Sequence, residues 1–127
     1  MGALREAGRG GESGEILLRI VMAKPEHAEA HRLLGNWFRD HGDLEEAADE
    51  YERALAADPS HTASLFALGC VRIRLGEPER VREVRTRLAP LSAHLAAMLD
   101  RFAEEARTAA GTREPDSRPE WHREAAT

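Results

Sequence analysis

The sequence predicts an all-α fold made of short helices joined by tight turns. Glycine and proline divide the central part of the chain into segments of helical length. Sustained apolar–polar alternation is absent and β-branched residues are sparse, so no strand is predicted. These helix-breaking residues also recur at a fixed distance. Pro59 follows Pro25 by 34 residues, and Gly69 follows Gly35 by the same number. We call this distance the repeat interval, and its length indicates one helix pair per unit.

The composition is that of a single folded domain with flanking segments. The chain has 127 residues, 18 basic and 23 acidic, and a net charge of −5. Its single cysteine, Cys70, excludes an internal disulfide and a cysteine-rich metal site. The longest uncharged stretch runs only from Leu88 to Leu99, which is too short to span a bilayer. With no apolar leader in the first residues, we expect a cytoplasmic protein that does not contact the membrane.

Breakers set the ends of the predicted helices. By approximate residue numbers, the helices are 15–24, 28–41, 44–57, 62–75 and one that begins at 78. Pro78 suits a first helical turn, where its missing N–H is not needed. An apolar stripe then continues past Pro90, but a proline inside a helix costs about 3 kcal/mol. We therefore expect a break or a strong kink near residues 89–92.

The two ends of the chain differ in composition from the centre. Residues 1–14 hold five glycines and few large apolar side chains, and residues 111–127 are charged and contain two prolines. Such segments bury too little surface to offset the entropy lost on ordering. The predicted organisation is a disordered tail over 1–14, a helical repeat domain over 15–110 and a second disordered tail over 111–127.

The repeat unit resembles the tetratricopeptide repeat family. Two units are predicted, at about 28–61 and 62–95. In the first unit, the small residues, the aromatic residues and the helix-breaking residues all stand at the positions that the family pattern gives them. These residues are Leu34-Gly35, Phe38, Gly42-Asp43, Glu46-Ala47, Tyr51, Ala54-Leu55 and Asp58-Pro59. The second unit keeps Leu68-Gly69 and Gly76 but departs from the pattern at several positions, including Ala93, which stands where a proline is expected. The other departures are Arg72, Val81, Arg85 and Leu88.

The resemblance implies a fold and a function. The fold would be a short right-handed α-solenoid of antiparallel helix pairs, with residues 91–107 as a C-terminal capping helix. The function would be that of a protein–protein interaction adaptor or scaffold, which holds a peptide or helix of a partner protein in a concave groove. Residues 15–24 would correspond to the second helix of a preceding unit.

The first helix of each unit would line that groove. Helical spacing agrees, because each set forms one stripe at intervals of three to four residues. The groove-facing positions are Glu29, Arg32, Asn36, Arg39 and Asp40 in the first unit, and Ala63, Phe66, Cys70, Ile73 and Arg74 in the second. The predicted partner-binding residues are Arg32, Asn36, Arg39, Phe66, Cys70, Ile73 and Arg74. In this interpretation Phe66, Cys70 and Ile73 form an apolar pocket; alternatively, the C-terminal helix covers Phe66 and Ile73.

Charge suggests two alternative functions. Eight acidic residues lie between Asp40 and Asp58, and six arginines lie between Arg72 and Arg87. Adjacent layers of opposite sign would favour a self-assembling structural subunit of a larger complex, and so a homo-oligomer. The arginines could instead bind RNA, but no aromatic residues are interleaved with them and the net charge is negative, so a nucleic-acid partner is disfavoured.

No catalytic or metal-binding pattern is present, and we expect neither an enzyme nor a cofactor. His27 and His31 are four residues apart, a spacing that can bind a metal on a helix. His27, however, follows Pro25 and has a repeat counterpart in His61, which favours a role in the turn. Nothing in the spacing pairs Cys70 with a histidine as a nucleophile.

Overall fold

The computed structural model describes the backbone of residues 2–116 and the side chains of residues 13–109. This part of the chain forms six helices and no strand, which confirms the all-α prediction. The helices are α1 (Gly2–Ala23), α2 (Ala28–Asp40), α3 (Leu44–Ala57), α4 (Thr62–Arg74), α5 (Pro78–Leu88) and α6 (Ala93–Asp116). Each helix packs against the next one in the chain, and α4 also contacts both α2 and α6.

Helix α1 begins earlier than the breakers predict. The prediction placed its start near Glu15, but the helix begins at Gly2. Gly14 is where α1 approaches α2, because a Cβ added there would lie 2.8 Å from Cε2 of Trp37. The absence of a side chain at Gly14 therefore permits close helix packing, whereas the prediction counted only its entropic cost. The domain boundaries remain predictions, and residues 117–127 lie outside the described residues.

Two glycines make the turns within the units. Gly42 follows α2 and Gly76 follows α4, with φ angles of +83° and +72°. Both angles lie in the left-handed region, which a side chain disfavours, so glycine ends these helices for a backbone reason. The predicted helix ends at Gly42 and Gly76 are confirmed.

Pro90 separates two helices. Helix α5 ends at Leu88 and α6 begins at Ala93, so the chain breaks here instead of continuing as a kinked helix. Ser92 caps the new helix, since its Oγ accepts a hydrogen bond of 3.1 Å from the backbone N–H of Leu95. The break lets α6 turn back and pack against α4 and α5.

The space between the helices of a unit is filled differently in the two units. In the first unit Tyr51 fills it, and a Cβ added at Gly35 would lie 2.6 Å from the ring. The second unit has Arg85 in place of this aromatic residue. There Leu99 of α6 occupies the space above Gly69, with both its terminal methyl groups 2.7 Å from an added Cβ. The capping helix thus supplies the side chain that the second unit lacks.

Arg72 takes the place of another expected aromatic residue and is buried, with 6% of its surface exposed. Its guanidinium group lies 2.9 Å from Glu77 Oε1 and 3.6 Å from Glu52 Oε2. Because Glu52 belongs to α3 and Glu77 precedes α5, the buried charge connects three consecutive helices. A buried charge needs such partners, since an unpaired one costs several kcal/mol.

None of the described helices combines the length and the hydropathy that a membrane span requires.

Candidate interaction surface

Helices α2 and α4, the first helices of the two units, share one surface. Glu29 at the start of α2 lies 3.3 Å from Nε2 of His61, the residue that precedes α4. Towards the other end of the two helices, the positive charge of Arg39 on α2 acts on the thiol of Cys70 on α4. We call the surface formed by Arg32, Asn36, Arg39 and Cys70 the α2–α4 surface.

The charges on the α2 part of this surface are largely paired within the chain. Arg32 makes a two-fold ion pair with Glu29, in which Nε donates over 3.0 Å. This pairing lowers the pKa of Glu29 and raises that of Arg32. Arg39 donates to Asp40 over 3.0 Å and 3.1 Å. The surface is therefore polar without a large excess of either charge.

Asn36 is held in one orientation by its neighbours. Its Oδ1 accepts hydrogen bonds from the Tyr51 hydroxyl and, over 3.4 Å, from Arg39. Among the described residues no hydrogen bond uses the Asn36 amide nitrogen, which leaves two N–H donors on a half-buried side chain. The hydrogen bond from Tyr51 to Asn36 was not predicted, because Tyr51 was interpreted only as a residue that fills space between helices. The hydroxyl group, which phenylalanine lacks, is the signal that could have revealed it.

Cys70 is half-buried on α4, and its surroundings disfavour the thiolate. Desolvation raises the pKa of the thiol, although the positive charge of Arg39 acts weakly in the opposite direction. A raised pKa means a smaller thiolate fraction at any given pH, and the thiolate is the reactive form. The environment of Cys70 is thus that of a packed thiol and not that of an activated nucleophile.

Cys70 should therefore react with iodoacetamide several-fold more slowly than a free cysteine at pH 8, and the rate should continue to rise at pH values where a free thiol is already ionised. The test is the rate of carbamidomethylation against pH, measured by mass spectrometry. Unfolding in urea should restore the ordinary rate and pH profile, which is the internal control. Faster labelling of the folded protein than of the unfolded chain would contradict this prediction.

The remaining predicted residues of α4 lie against other parts of the fold. Phe66 packs on Phe102 of α6, with ring centroids 6.0 Å apart. Ile73 lines a separate groove of about 550 Å³ together with residues of α5 and α6. Arg74 is exposed at the last position of α4. The structure thus places Phe66 against the C-terminal helix, whereas Ile73 lines an open groove beside that helix. Which of these residues bind a partner stays a prediction.

The two histidines with metal-like spacing have other partners. His27 precedes α2, and its Nδ1 accepts a hydrogen bond of 3.1 Å from the backbone of Ala30. His31 is buried, and its ring nitrogens each lie 2.8 Å from an acceptor, the Glu50 carboxylate and the Pro25 carbonyl oxygen. No group of three or more potential metal ligands occurs in the part of the chain that the structure describes.

The arginine-rich segment does not form a uniformly basic face. Arg72 is buried in ion pairs, and Arg85 pairs with Asp100 over 2.7 Å. Arg80 and Arg87 line a cleft of about 250 Å³ that also contains two glutamates, Glu52 and Glu83. Mixed charge of this kind gives little support to RNA binding through residues 72–87.

Comparison with known proteins identifies the helix pair around this surface. Residues 28–61, which comprise α2, α3 and the following turn, match the family model of the tetratricopeptide repeat. The match coincides with the first predicted unit. No curated protein matches the chain.

Proposed function

We propose that this chain, whose residues 28–61 match the tetratricopeptide repeat, is an interaction adaptor that binds a segment of a partner protein on the α2–α4 surface. Repeats of this type are protein–protein interaction modules. The ligand we propose is a peptide or a helix that lies across α2 and α4.

The observation that carries this proposal is the oriented amide of Asn36. Since the Tyr51 hydroxyl and Arg39 occupy its oxygen, its nitrogen is left to donate. An N–H donor fixed in this way suits a backbone carbonyl of a bound segment, because its orientation is set before binding and little entropy is lost.

The neighbouring charges indicate which segments would bind. Arg32 is already engaged by Glu29, while Arg39 is partly exposed and its described partners are Asp40 and the Asn36 oxygen, both on its own helix or at its end. Exposed pairs of this kind contribute about 0–1 kcal/mol, so a ligand carboxylate can replace Asp40 at little cost. We therefore expect a segment that combines backbone hydrogen bonding with one acidic side chain near Arg39.

The test is binding of peptides selected from a random displayed library on the immobilised protein. Arg39→Glu should weaken the selected peptides about tenfold or more, because it places a like charge beside the acidic side chain of the ligand. The bound peptides should also slow the alkylation of Cys70. Binding is measured by isothermal titration calorimetry.

Arg87→Glu is the matched control, because it makes the same charge change at an exposed arginine of α5. Arg87 lines the cleft that contains Glu52 and Glu83, which lies apart from the α2–α4 surface. It should leave peptide affinity within about twofold of the unmodified protein. Selected peptides that bind the Arg39→Glu variant at full affinity and leave Cys70 alkylation unchanged would overturn the proposal.

A further inference from the structure

One face of α1 is uncovered by the rest of the described chain. Val21 packs on Ala30 and Leu34 of α2, and this side of α1 is buried. Ile16 points to a different side and is 53% exposed, and Leu17 and Ile20, which lie between Ile16 and the buried side, are only partly buried. Large apolar side chains at this exposure mark a surface that a further helix can bury.

At the opposite end of the domain, α5 and α6 leave an open groove between them. It has a volume of about 550 Å³, and its apolar lining includes Ile73, Val81, Ala103 and Ala106. Small alanines on α6 allow another helix to approach closely, as glycine does inside the units. The groove therefore fits a helix with an apolar face.

The repeat register makes these two surfaces complementary. Ala103 of α6 lies one repeat interval after Gly69, the close-approach position of a first helix. Leu17 of α1 lies one repeat interval before Tyr51, the side chain that fills this space from a second helix. By sequence register, α6 has the character of a first helix and α1 that of a second helix.

The charges around the groove also favour an apolar occupant. Arg85 pairs with Asp100, and Arg107 pairs with Glu104, so four of the charged groups that line the groove neutralise one another. An occupant that presents Ile16 and its neighbours leaves these pairs intact and adds no buried charge.

We propose that two copies of this chain associate head to tail, with α1 of one copy lying in the groove between α5 and α6 of the other. Helices α6 and α1 of different copies then complete one tetratricopeptide-like pair, with Leu17 and Ile16 against Ala103 and Ala106. This interaction goes beyond the proposed peptide binding, because none of these residues belongs to the α2–α4 surface. The contact joins unlike surfaces, so a dimer keeps one unused surface of each kind, one on each copy.

The test is sedimentation of the 127-residue protein, whose monomer mass is 14.1 kDa. The unmodified protein should form dimers and larger species as its concentration rises. Ile16→Asp and Ala106→Glu each place a charge at one of the two surfaces and should weaken self-association about tenfold or more. Both positions are exposed in the monomer, so the variants should keep the circular dichroism and melting temperature of the unmodified protein.

Mixing the two variants distinguishes this contact from a two-fold symmetric one. Each variant retains the surface that the other has lost, so an equimolar mixture should form a dimer of twice 14.1 kDa and nothing larger. Ala56→Asp is the matched control, an exposed alanine of α3 away from both surfaces, and it should associate like the unmodified protein. A mass of 14.1 kDa for the unmodified protein at every concentration would overturn the proposal. So would a mixture that stays monomeric while the unmodified protein associates.

Discussion

Replacing His31 by leucine should lower the free energy of unfolding by about 3 kcal/mol, because it removes the partner of a buried carboxylate. His31 is 5% exposed and Glu50 is 8% exposed. After the substitution, Arg53 would be the remaining ionic partner of Glu50 among the described residues, and the Pro25 carbonyl oxygen would lose its hydrogen bond from His31. Glu50→Val alone should cost about 1–3 kcal/mol, since one nitrogen of the His31 ring is left without a partner.

The double variant should behave differently from the sum of its parts. One repeat interval after His31 and Glu50, the second unit carries Leu65 and Val84, and both lie in its core. The chain itself thus shows that an apolar pair fits this place. The His31→Leu/Glu50→Val variant should be within about 1 kcal/mol of the unmodified protein, because a buried ion pair contributes little net stability over a packed apolar pair.

Urea unfolding of the four proteins gives the coupling energy directly. Arg53→Ala is the control, because it removes the other ionic partner of Glu50 at an exposed position. It should cost about 0.5 kcal/mol of unfolding free energy, since the Arg53 side chain is 57% exposed. Additive losses in the double variant would show that the contact between His31 and Glu50 is not the source of the effect.

The second prediction concerns the two close-approach glycines, which should respond unequally to alanine. At Gly35 the new Cβ would lie 2.6 Å and 2.8 Å from two atoms of the Tyr51 ring, a rigid side chain with no exposed surface. Overpacking of a buried site costs about 1–3 kcal/mol, and we expect Gly35→Ala to lie at the upper end.

Gly69→Ala should cost less. Its Cβ would meet the terminal methyl groups of Leu99, which can rotate away, whereas the Tyr51 ring cannot. The gain of about 1 kcal/mol from replacing a helical glycine by alanine is common to both sites. Thermal and urea unfolding of both variants tests the order. A larger loss for Gly69→Ala would indicate that α6 is held more tightly than the aromatic ring of the first unit.

Much of the fold could be predicted because its signals are local. Gly42 and Gly76 adopt positive φ angles, and Pro90 lies between two helices. Each of these residues therefore ends a helix at its own position in the sequence. The repeat spacing then paired the helices. The start of α1 was missed because the glycine-rich composition was taken to indicate disorder. At Gly14 the missing side chain instead admits Trp37 of the next helix, a contact that composition does not reveal.

The candidate site was less predictable. The family resemblance, with helical spacing in agreement, placed Arg39 and Cys70 on groove-facing stripes, and in the folded chain the positive charge of Arg39 acts on the Cys70 thiol. The same spacing could not show that Phe66 packs on Phe102, because this depends on where α6 lies after the break at Pro90. The orientation of Asn36 likewise depends on the Tyr51 hydroxyl from another helix.

The sequence by itself determined the number of central helices, their ends and their pairing at the repeat interval, because backbone geometry and side-chain size at single positions govern these features. Only the tertiary structure decided that Leu99 fills the space left by Arg85, that Arg72 is buried between glutamates of two neighbouring segments, and that one groove stays open between α5 and α6. These outcomes depend on packing between residues far apart in the chain, where several side chains compete for the same space.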